Sequence, residues 1–196
     1  MWTGWIAFIL ATCGLLLVSL TKEQSVPETT KNFHPPPIED MLLAHEGEPI
    51  TEIGLSPDEL TDVISKVLLS PNLKRLHQSP TGLREGLLAR HVDLGDGVNN
   101  GLVLNGPTEL CGASGNCGTW FFHGWHTKWQ LVFDGFSGAF AFITPKHHGL
   151  SGLVLVVHMN AAEAPTDIWQ FNGTRYELVQ SYCWYSSGPI VEGKCP

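Results

Sequence analysis

The feature that most constrains this 196-residue chain is a pair of apolar runs joined by a short loop that two cysteines could close. The first run covers residues 101–104, and the second is the aromatic stretch 118–123. Between them lies Cys111-Gly-Ala-Ser-Gly-Asn-Cys117, a loop rich in small residues. Strand-like runs on both sides of such a loop are typical of a β-hairpin. The segment therefore predicts a hairpin with a disulfide across its tip.

The sequence after this hairpin continues in strand patterns. Trp129, Leu131 and Phe133 alternate with polar residues, which predicts a strand buried on one face. Residues 153–157 are apolar at every position and predict an interior strand. The C-terminal two thirds of the chain are therefore expected to form a sheet system.

A further hairpin is predicted around Asn172-Gly173. This dipeptide is preferred in two-residue hairpin turns because both residues tolerate a positive φ angle. A two-residue turn would place Trp169 opposite Tyr176, a favourable aromatic pair across two strands.

The clearest helix signal spans residues 55–69. Ser56 is a natural N-cap, and Glu59 completes a capping box with it. One face of this helix is apolar: Leu60, Val63, Ile64, Val67 and Leu68. A second, broken helix is predicted at residues 83–89. The fold class is therefore predicted as α+β, with mostly antiparallel sheet of about six to eight short strands and one or two N-terminal helices packed on it.

The N-terminal region differs in composition from the remainder of the chain. Residues 1–20 contain no charged side chain, which fits either a cleaved signal peptide or a retained membrane anchor. Residues 21–50 are rich in proline and acidic residues and predict an extended linker. Residues 51–196 are then expected to form a single β-rich domain.

Four cysteines lie in the C-terminal half of the chain: Cys111, Cys117, Cys183 and Cys195. An even number of cysteines in an exported chain indicates two disulfides. Of the three possible pairings we favour the local one, 111–117 with 183–195. In the chain-entropy model, loops this short contribute about 2–3 kcal/mol each. The expected location is periplasmic, extracellular or membrane-anchored, with the domain outside the cytoplasm.

The formal charge of −8 is concentrated near the N-terminus. Residues 22–62 hold ten acidic side chains and two lysines, whereas residues 63–196 carry nine acidic and nine basic ones. Neither region has the continuous basic stripe that a phosphate backbone requires, which argues against a nucleic-acid partner. The expected partner is a protein or a component of the cell envelope, with membrane contact through residues 1–20 if they are retained.

Asp93 and Asp96 lie in an Asp- and Gly-rich turn that could bind calcium. Their carboxylates, with backbone carbonyls, could supply a weak site. Turns also select Asp and Gly for backbone reasons alone, so both interpretations stay open.

Four histidines lie on predicted turns and could form a zinc site: His123, His126, His147 and His148. Histidines at strand ends are also commonly solvated or hydrogen-bonded, and no established hydrolase spacing accompanies these four. Apart from these calcium and zinc hypotheses, no cofactor is expected.

The turn Asp93-Leu-Gly-Asp-Gly97 and the strand-like residues 102–104 carry a family resemblance. In this order of Asp-Gly turn, strand and aromatic hairpin, the chain resembles the Asp-Gly-loop β modules of the FG-GAP (integrin-type) family and of small secreted bacterial proteins. The resemblance implies an exported β module whose loop can support calcium binding. The loop occurs once, so a full propeller is not implied.

The sequence contains no Gly-x-Ser-x-Gly elbow, phosphate loop or dinucleotide fingerprint. The predicted function is therefore an exported, non-catalytic binding module. An inhibitor of a secreted hydrolase, with the 111–117 loop as a wedge, is one specific form. A metal-dependent hydrolase that uses the histidines and a structural membrane-tethered domain are the alternatives.

Overall fold

A computed structural model of the chain describes residues 36, 40–74, 80–95, 100–125, 128–158, 163–185, 191–193 and 195. These residues lie in one compact unit, Pro35–Pro196. Its strands form two sheets, of six and five strands, in which the pairing is antiparallel. The fold is largely β, and it is α+β only in the loose sense that a few helices accompany the sheets.

The helices, in chain order, are α1 (Pro57–Leu69), α2 (Pro71–Lys74) and α3 (Pro80–Gly86), with a short 3-10 helix at Thr108–Leu110. The strands are β1 (Leu42–Leu43), β2 (Glu48–Pro49), β3 (Leu88–Val92), β4 (Gly101–Asn105), β5 (Cys117–Trp125), β6 (Lys128–Ser137), β7 (Ala139–His147), β8 (Leu150–Val156), β9 (Glu163–Phe171), β10 (Tyr176–Tyr185) and β11 (Val191–Glu192).

The sheet order follows the chain closely. The five-stranded sheet runs β2-β3-β4-β5-β6, and the six-stranded sheet runs β1-β7-β8-β9-β10-β11. The chain first passes from the six-stranded to the five-stranded sheet between β1 and β2, and it returns at Gly138, the single residue between β6 and β7. At this corner the backbone N–H of Gly138 donates to the carbonyl of Val156 at 2.8 Å, and its carbonyl accepts from the N–H of Ala44 at 3.0 Å. These two hydrogen bonds link the corner to β8 and to the segment that follows β1.

Helix α1 begins as the sequence predicts. Ser56 is the N-cap: its hydroxyl accepts from the backbone N–H of Glu59 at 3.3 Å, and the Glu59 carboxylate accepts from the N–H of Ser56 at 2.9 Å. This reciprocal pair is the expected capping box. The buried face consists of four residues of the predicted apolar stripe: Leu60, Val63, Ile64 and Val67.

Two hydrophobic cores lie on opposite faces of the five-stranded sheet. Helix α1 covers the first core, to which Leu102 and Leu104 of β4 contribute. Val103, between them, belongs to the second core, which residues of the six-stranded sheet complete. A strand buried on both faces needs apolar residues at consecutive positions, which explains the uninterrupted run in β4. The result is a three-layer arrangement of helix, sheet and sheet.

A β-bulge breaks the alternation predicted for β6. Leu131 packs against the first core as expected, but Phe133 lies in the second core. The register pairs Phe121 with Phe133 and Phe122 with Leu131, so Val132 is an extra residue on β6. One inserted residue moves the following side chains to the other face of the sheet. The prediction that Phe133 shares a face with Leu131 is therefore wrong.

The predicted pairing of Trp169 with Tyr176 is also wrong. Tyr176 instead pairs with Phe171, with ring centroids 5.7 Å apart, so the loop has four residues, 172–175. The side-chain oxygen of Asn172 accepts the backbone N–H groups two and three residues later, both at 2.9 Å. This side chain closes a wider turn than the dipeptide alone suggests.

The second predicted helix ends earlier than expected. Helix α3 ends at Gly86, and Ala89 lies in β3, where it pairs with Leu104 and is fully buried. A Cβ atom on Gly86 would lie 2.5 Å from the Pro107 side chain, so this close approach requires glycine. Pairing within the sheet therefore overrides the local helical pattern after residue 86.

Part of the predicted linker belongs to the fold. β1 pairs with β7, and β2 pairs with β3, so this segment adds an edge strand to each sheet. Ala44 and Ile50 are almost completely buried, with 0% and 1% of their surface exposed. The folded region therefore starts before the predicted boundary at residue 51. The signal or anchor prediction for residues 1–20 lies outside the described residues.

Candidate functional site

The loop between β4 and β5 is closed by the predicted disulfide. Cys111 and Cys117 are bonded, with their Cα atoms 3.9 Å apart. Inside the ring, the N–H of Gly112 donates to the carbonyl of Asn116 at 2.7 Å, and the N–H of Gly115 donates to the carbonyl of Gly112 at 2.9 Å. Residues 112–115 at the tip are exposed. We call residues 111–117 the stapled loop.

Asn116 fixes the stapled loop to the segment that follows β8. Its side-chain nitrogen donates to the carbonyl of His158 at 2.7 Å, and its side-chain oxygen accepts from the N–H of His158 at 2.8 Å. The same nitrogen lies 2.8 Å from the hydroxyl of Ser114 at the tip. Sequence reasoning missed this contact because its partners lie 42 residues apart.

The second predicted disulfide, Cys183–Cys195, is also present, with a Cα–Cα distance of 4.9 Å. It ties the C-terminal end of the chain to β10, where Cys183 is almost completely buried. Disulfides form and persist in oxidising compartments, so the two bonds indicate a location outside the cytoplasm. No helix among the described residues is both long and apolar enough to cross a membrane.

Asp93 takes part in the turn that follows β3. One oxygen of its carboxylate accepts from the backbone N–H of Gly95 at 2.7 Å, and Gly95 has a φ angle of +106°. Both observations fit the selection of Asp and Gly for the turn itself. Asp96 lies outside the described residues, so the calcium site stays a prediction.

Three of the four candidate zinc ligands are described. His123 lies near the end of β5, whereas His147 ends β7 and His148 follows it with a φ angle of 48°. His126 lies outside the described residues. Among the residues that are described, no group of three or more His, Cys, Asp or Glu could hold a metal ion. The zinc site, and the hydrolase built on it, stay predictions.

An open cleft of about 650 Å³ lies between the C-terminal end of α1 and the adjoining ends of β5 and β6. Its lining comes from the last turn of the helix and from the facing strands: Lys66, Leu69, Ser70, Pro71, His123, Gly124, Lys128, Trp129, Gln130 and Leu131. We call it the basic cleft. Small-molecule sites commonly enclose about 300–1,000 Å³, so its size suits a small ligand.

The rim of the basic cleft carries positive charge. The Lys66 ammonium contacts the Asp62 carboxylate at 2.5 Å and also donates to the carbonyl of Trp129. Lys128 is exposed, and its ammonium has no ion pair with any described residue. The described residues of the lining include no Asp or Glu, although the chain as a whole has a net charge of −8.

Two buried polar groups close to the cleft have no partner among the described residues. Trp129 is 4% exposed, and no described residue accepts a hydrogen bond from its indole N–H. Asn100 is 8% exposed; its side-chain nitrogen donates to Nε2 of His123 at 3.1 Å, while its side-chain oxygen has no partner within the described part of the chain. Most buried polar groups in proteins are hydrogen-bonded, so each exception calls for an explanation.

One feature of the sequence indicates an exposed apolar residue at this cleft. Leu69 ends α1 but falls outside the predicted apolar stripe, and it is 66% exposed in the structure. The contributions of Lys128 and Trp129 depend on the packing of β6 against the helix, which the strand pattern does not reveal.

No protein-family model, curated protein or solved structure matches this chain.

Proposed function

We propose that this chain is an exported, non-catalytic binding module that recognises a partner protein through the stapled loop. The observation that carries the proposal is the exposed tip, whose geometry is constrained by a disulfide, by backbone hydrogen bonds and by Asn116. In its most specific form, the partner is a secreted hydrolase and the tip enters its substrate cleft as a wedge.

A loop of this kind suits recognition because its conformation is set before binding. Ordering flexible residues at an interface costs free energy, and a loop that is already ordered avoids most of that cost. The tip carries only small residues, Gly112-Ala-Ser-Gly115, so a partner can approach its backbone closely. Binding residues are commonly placed on loops that a rigid scaffold positions, and here the scaffold is two packed sheets.

The proposed location is the periplasm, the cell surface or the extracellular space. The uncharged N-terminal segment and the two disulfides support export. Residues 1–20 then either leave on cleavage or tether the domain to the membrane.

Site-specific photo-crosslinking tests the proposal. A photoreactive amino acid is placed at Ser114 in the tip, and the full chain is expressed in its source cells. Ser65 of α1, another exposed serine, receives the same residue as the matched control. We expect one discrete protein adduct from position 114, identified by mass spectrometry, and none of that mass from position 65.

The same experiment in a C111S/C117S background shows whether binding needs the conformation that the disulfide imposes or only an exposed loop. The adduct at position 114 should then fall at least about tenfold, because the open loop must be ordered on binding. No discrete adduct at position 114, equal adducts at both positions, or an adduct that survives loss of the disulfide would contradict the proposal. Mass spectrometry of the same material gives the mature N-terminus and shows whether the chain is exported.

A further inference from the structure

We propose that Phe136 is the apolar anchor of the interface made by the stapled loop, and that the partner protein offers an apolar pocket for its ring. The inference rests on the proposed function, because it names a second contact with the same partner. Three observations carry it: the position of Phe136 beside the loop, the exposure of its ring, and the small apolar area of the tip.

Phe136 lies beside the base of the stapled loop. It is in β6 and pairs with Gly118 of β5, the residue that follows Cys117. Paired residues of an antiparallel sheet have Cα atoms about 4.5–5.5 Å apart and side chains on the same face. On this face Trp120, two residues after Gly118, packs into the first core, and so does Leu110, which precedes the loop. The Phe136 ring and the chain that enters the loop are therefore on the same side of the five-stranded sheet.

The ring of Phe136 is open to solvent because the sheet does not cover it. It is 38% exposed and belongs to neither core, whereas Trp129 and Phe133 of the same strand are core residues. Gly118, opposite, has no side chain to cover the ring, and a Cβ atom there would lie 2.7 Å from the indole of Trp120. β6 is also the outermost strand of its sheet within the described fold, so no strand flanks the ring on the other side.

The tip alone offers a partner little apolar surface. Its residues, Gly112-Ala-Ser-Gly115, carry at most a methyl or hydroxymethyl group. In protein interfaces a few central side chains contribute most of the binding free energy, and aromatic residues are enriched there. A phenylalanine ring that becomes buried removes a large apolar area from water. The tip therefore sets the direction of approach, and Phe136 supplies the apolar contact.

The other exposed large hydrophobic residues with described side chains lack this relation to the loop. They are Leu69 at the end of α1, and Leu178 and Val179 of β10 in the other sheet. All three are aliphatic, and none pairs with a residue at the base of the loop. Leu178 is 44% exposed, close to the value for Phe136, so it provides the matched control position.

Photo-crosslinking at position 136 tests the contact directly. Benzoylphenylalanine replaces Phe136 in the full chain, expressed in its source cells, and so keeps an aromatic ring at the site. The same photoreactive residue at Leu178 is the control. We expect position 136 to capture the protein that position 114 captures, as identified by mass spectrometry, and position 178 not to capture it. An adduct with lipid, or with a different protein, would overturn the inference.

A second measurement tests whether the ring contributes to affinity. The yield of the adduct at position 114 is compared in F136A and L178A backgrounds. F136A should lower the yield at least about tenfold, because it removes the main apolar contact. L178A should change it less than about twofold, since this residue lies outside the proposed interface. F136L keeps an apolar side chain and should lower the yield by about threefold or less.

The two proposals fail in different ways. An adduct at position 114 that survives F136A, or no adduct at position 136, contradicts the anchor and leaves the stapled loop as the binding element. No adduct at position 114 in the otherwise native chain contradicts the proposed function, and the anchor with it. Urea denaturation shows that each variant is folded, which we expect for F136A because Phe136 lies outside both cores. If F136A fails to fold, the adduct at position 136 decides.

Discussion

The two ends of β5 show two ways of holding a surface feature in place. At Cys117, a disulfide and polar contacts hold an exposed loop of small residues. Near His123, six residues further along the strand, packing of α1 against the sheet forms a cleft with charged and apolar walls. Six residues of extended strand separate the two surfaces by about 20 Å. The first surface depends on redox state and the second on core packing, so they should respond to different perturbations.

Trp120 links the middle of β5 to the cleft. It is 1% exposed, and its indole N–H donates to the hydroxyl of Ser70 at 3.0 Å. Ser70 caps the C-terminal end of α1 and also lines the cleft. The position of the helix wall is therefore tied to a side chain in the core of the sheet, whereas the stapled loop is held by its disulfide and by Asn116.

Of the substitutions that test this difference between the two ends, removal of Trp120 should lower the stability most. We expect W120A to lower the free energy of unfolding by about 3–5 kcal/mol, because it leaves a large cavity under α1. Urea denaturation with both disulfides intact measures the change. W184A, at a half-buried position of β10, is the control and should cost clearly less. A loss near 1 kcal/mol for W120A would show that the helix wall does not depend on this residue.

Removal of the disulfides should have the next largest effect. In the chain-entropy model, C111S/C117S should lower the free energy of unfolding by about 2–3 kcal/mol. C183S/C195S should cost slightly more because its loop is longer, with a sequence separation of 12 against 6. Denaturation of the two double variants checks the order.

The same variants show whether the two ends are independent. Amide hydrogen exchange of residues 129–131, which line the cleft, should be unchanged in C111S/C117S, since the cleft contains no part of the stapled loop. Faster exchange there would mean that the loop also shapes the cleft, and the contrast between the two ends would then fail.

The smallest predicted effect concerns alkaline pH. Tyr176 is buried and its hydroxyl donates to the carbonyl of Ser151 at 2.8 Å; burial raises the pKa of this phenol. The folded state therefore holds its proton at a pH where the unfolded chain, with a pKa of about 10, releases it. The resulting stability is fully present below pH 10 and is lost as the pH rises above it, by about 1.4 kcal/mol at pH 11.

Comparison with Y176F isolates this titration from the other tyrosines. The variant should be less stable than the wild type at pH 8 by about 1 kcal/mol, because it loses the hydrogen bond. The difference should disappear or reverse by pH 11, as followed by urea denaturation at each pH. Tyr176 lies in the second core, between the two sheets, so alkaline pH should act there, whereas reduction acts at the stapled loop. A constant difference across this pH range would contradict the assignment.

Features set by neighbours in sequence were predictable. The capping box at Ser56 spans three residues, and the disulfides close loops of short separation, so residue types at known spacing indicated both. The interior position of β8 followed from an apolar run too continuous for a half-exposed strand. In each case the determining interaction lies within a short segment of chain.

Predictions failed where a neighbouring element decides the outcome. The bulge at Val132 and the four-residue loop 172–175 each shift the register of a strand. The period-two alternation of a sequence does not indicate where such a shift occurs. Residues 42–49 became edge strands because partners in β7 and β3 were available, despite a composition typical of a linker.

The sequence by itself determined the helix α1 and the strand-rich character, and its cysteine spacing favoured the two local disulfides, which indicate an oxidising environment. Only the tertiary structure decided how the stapled loop is held and where the cleft lies. The contact of Asn116 with His158 spans 42 residues, that of Trp120 with Ser70 spans 50, and that of Lys66 with Trp129 spans 63. Contacts at such separations form only when packed elements bring their partners together, because the local chain offers no interaction that selects one distant partner over another.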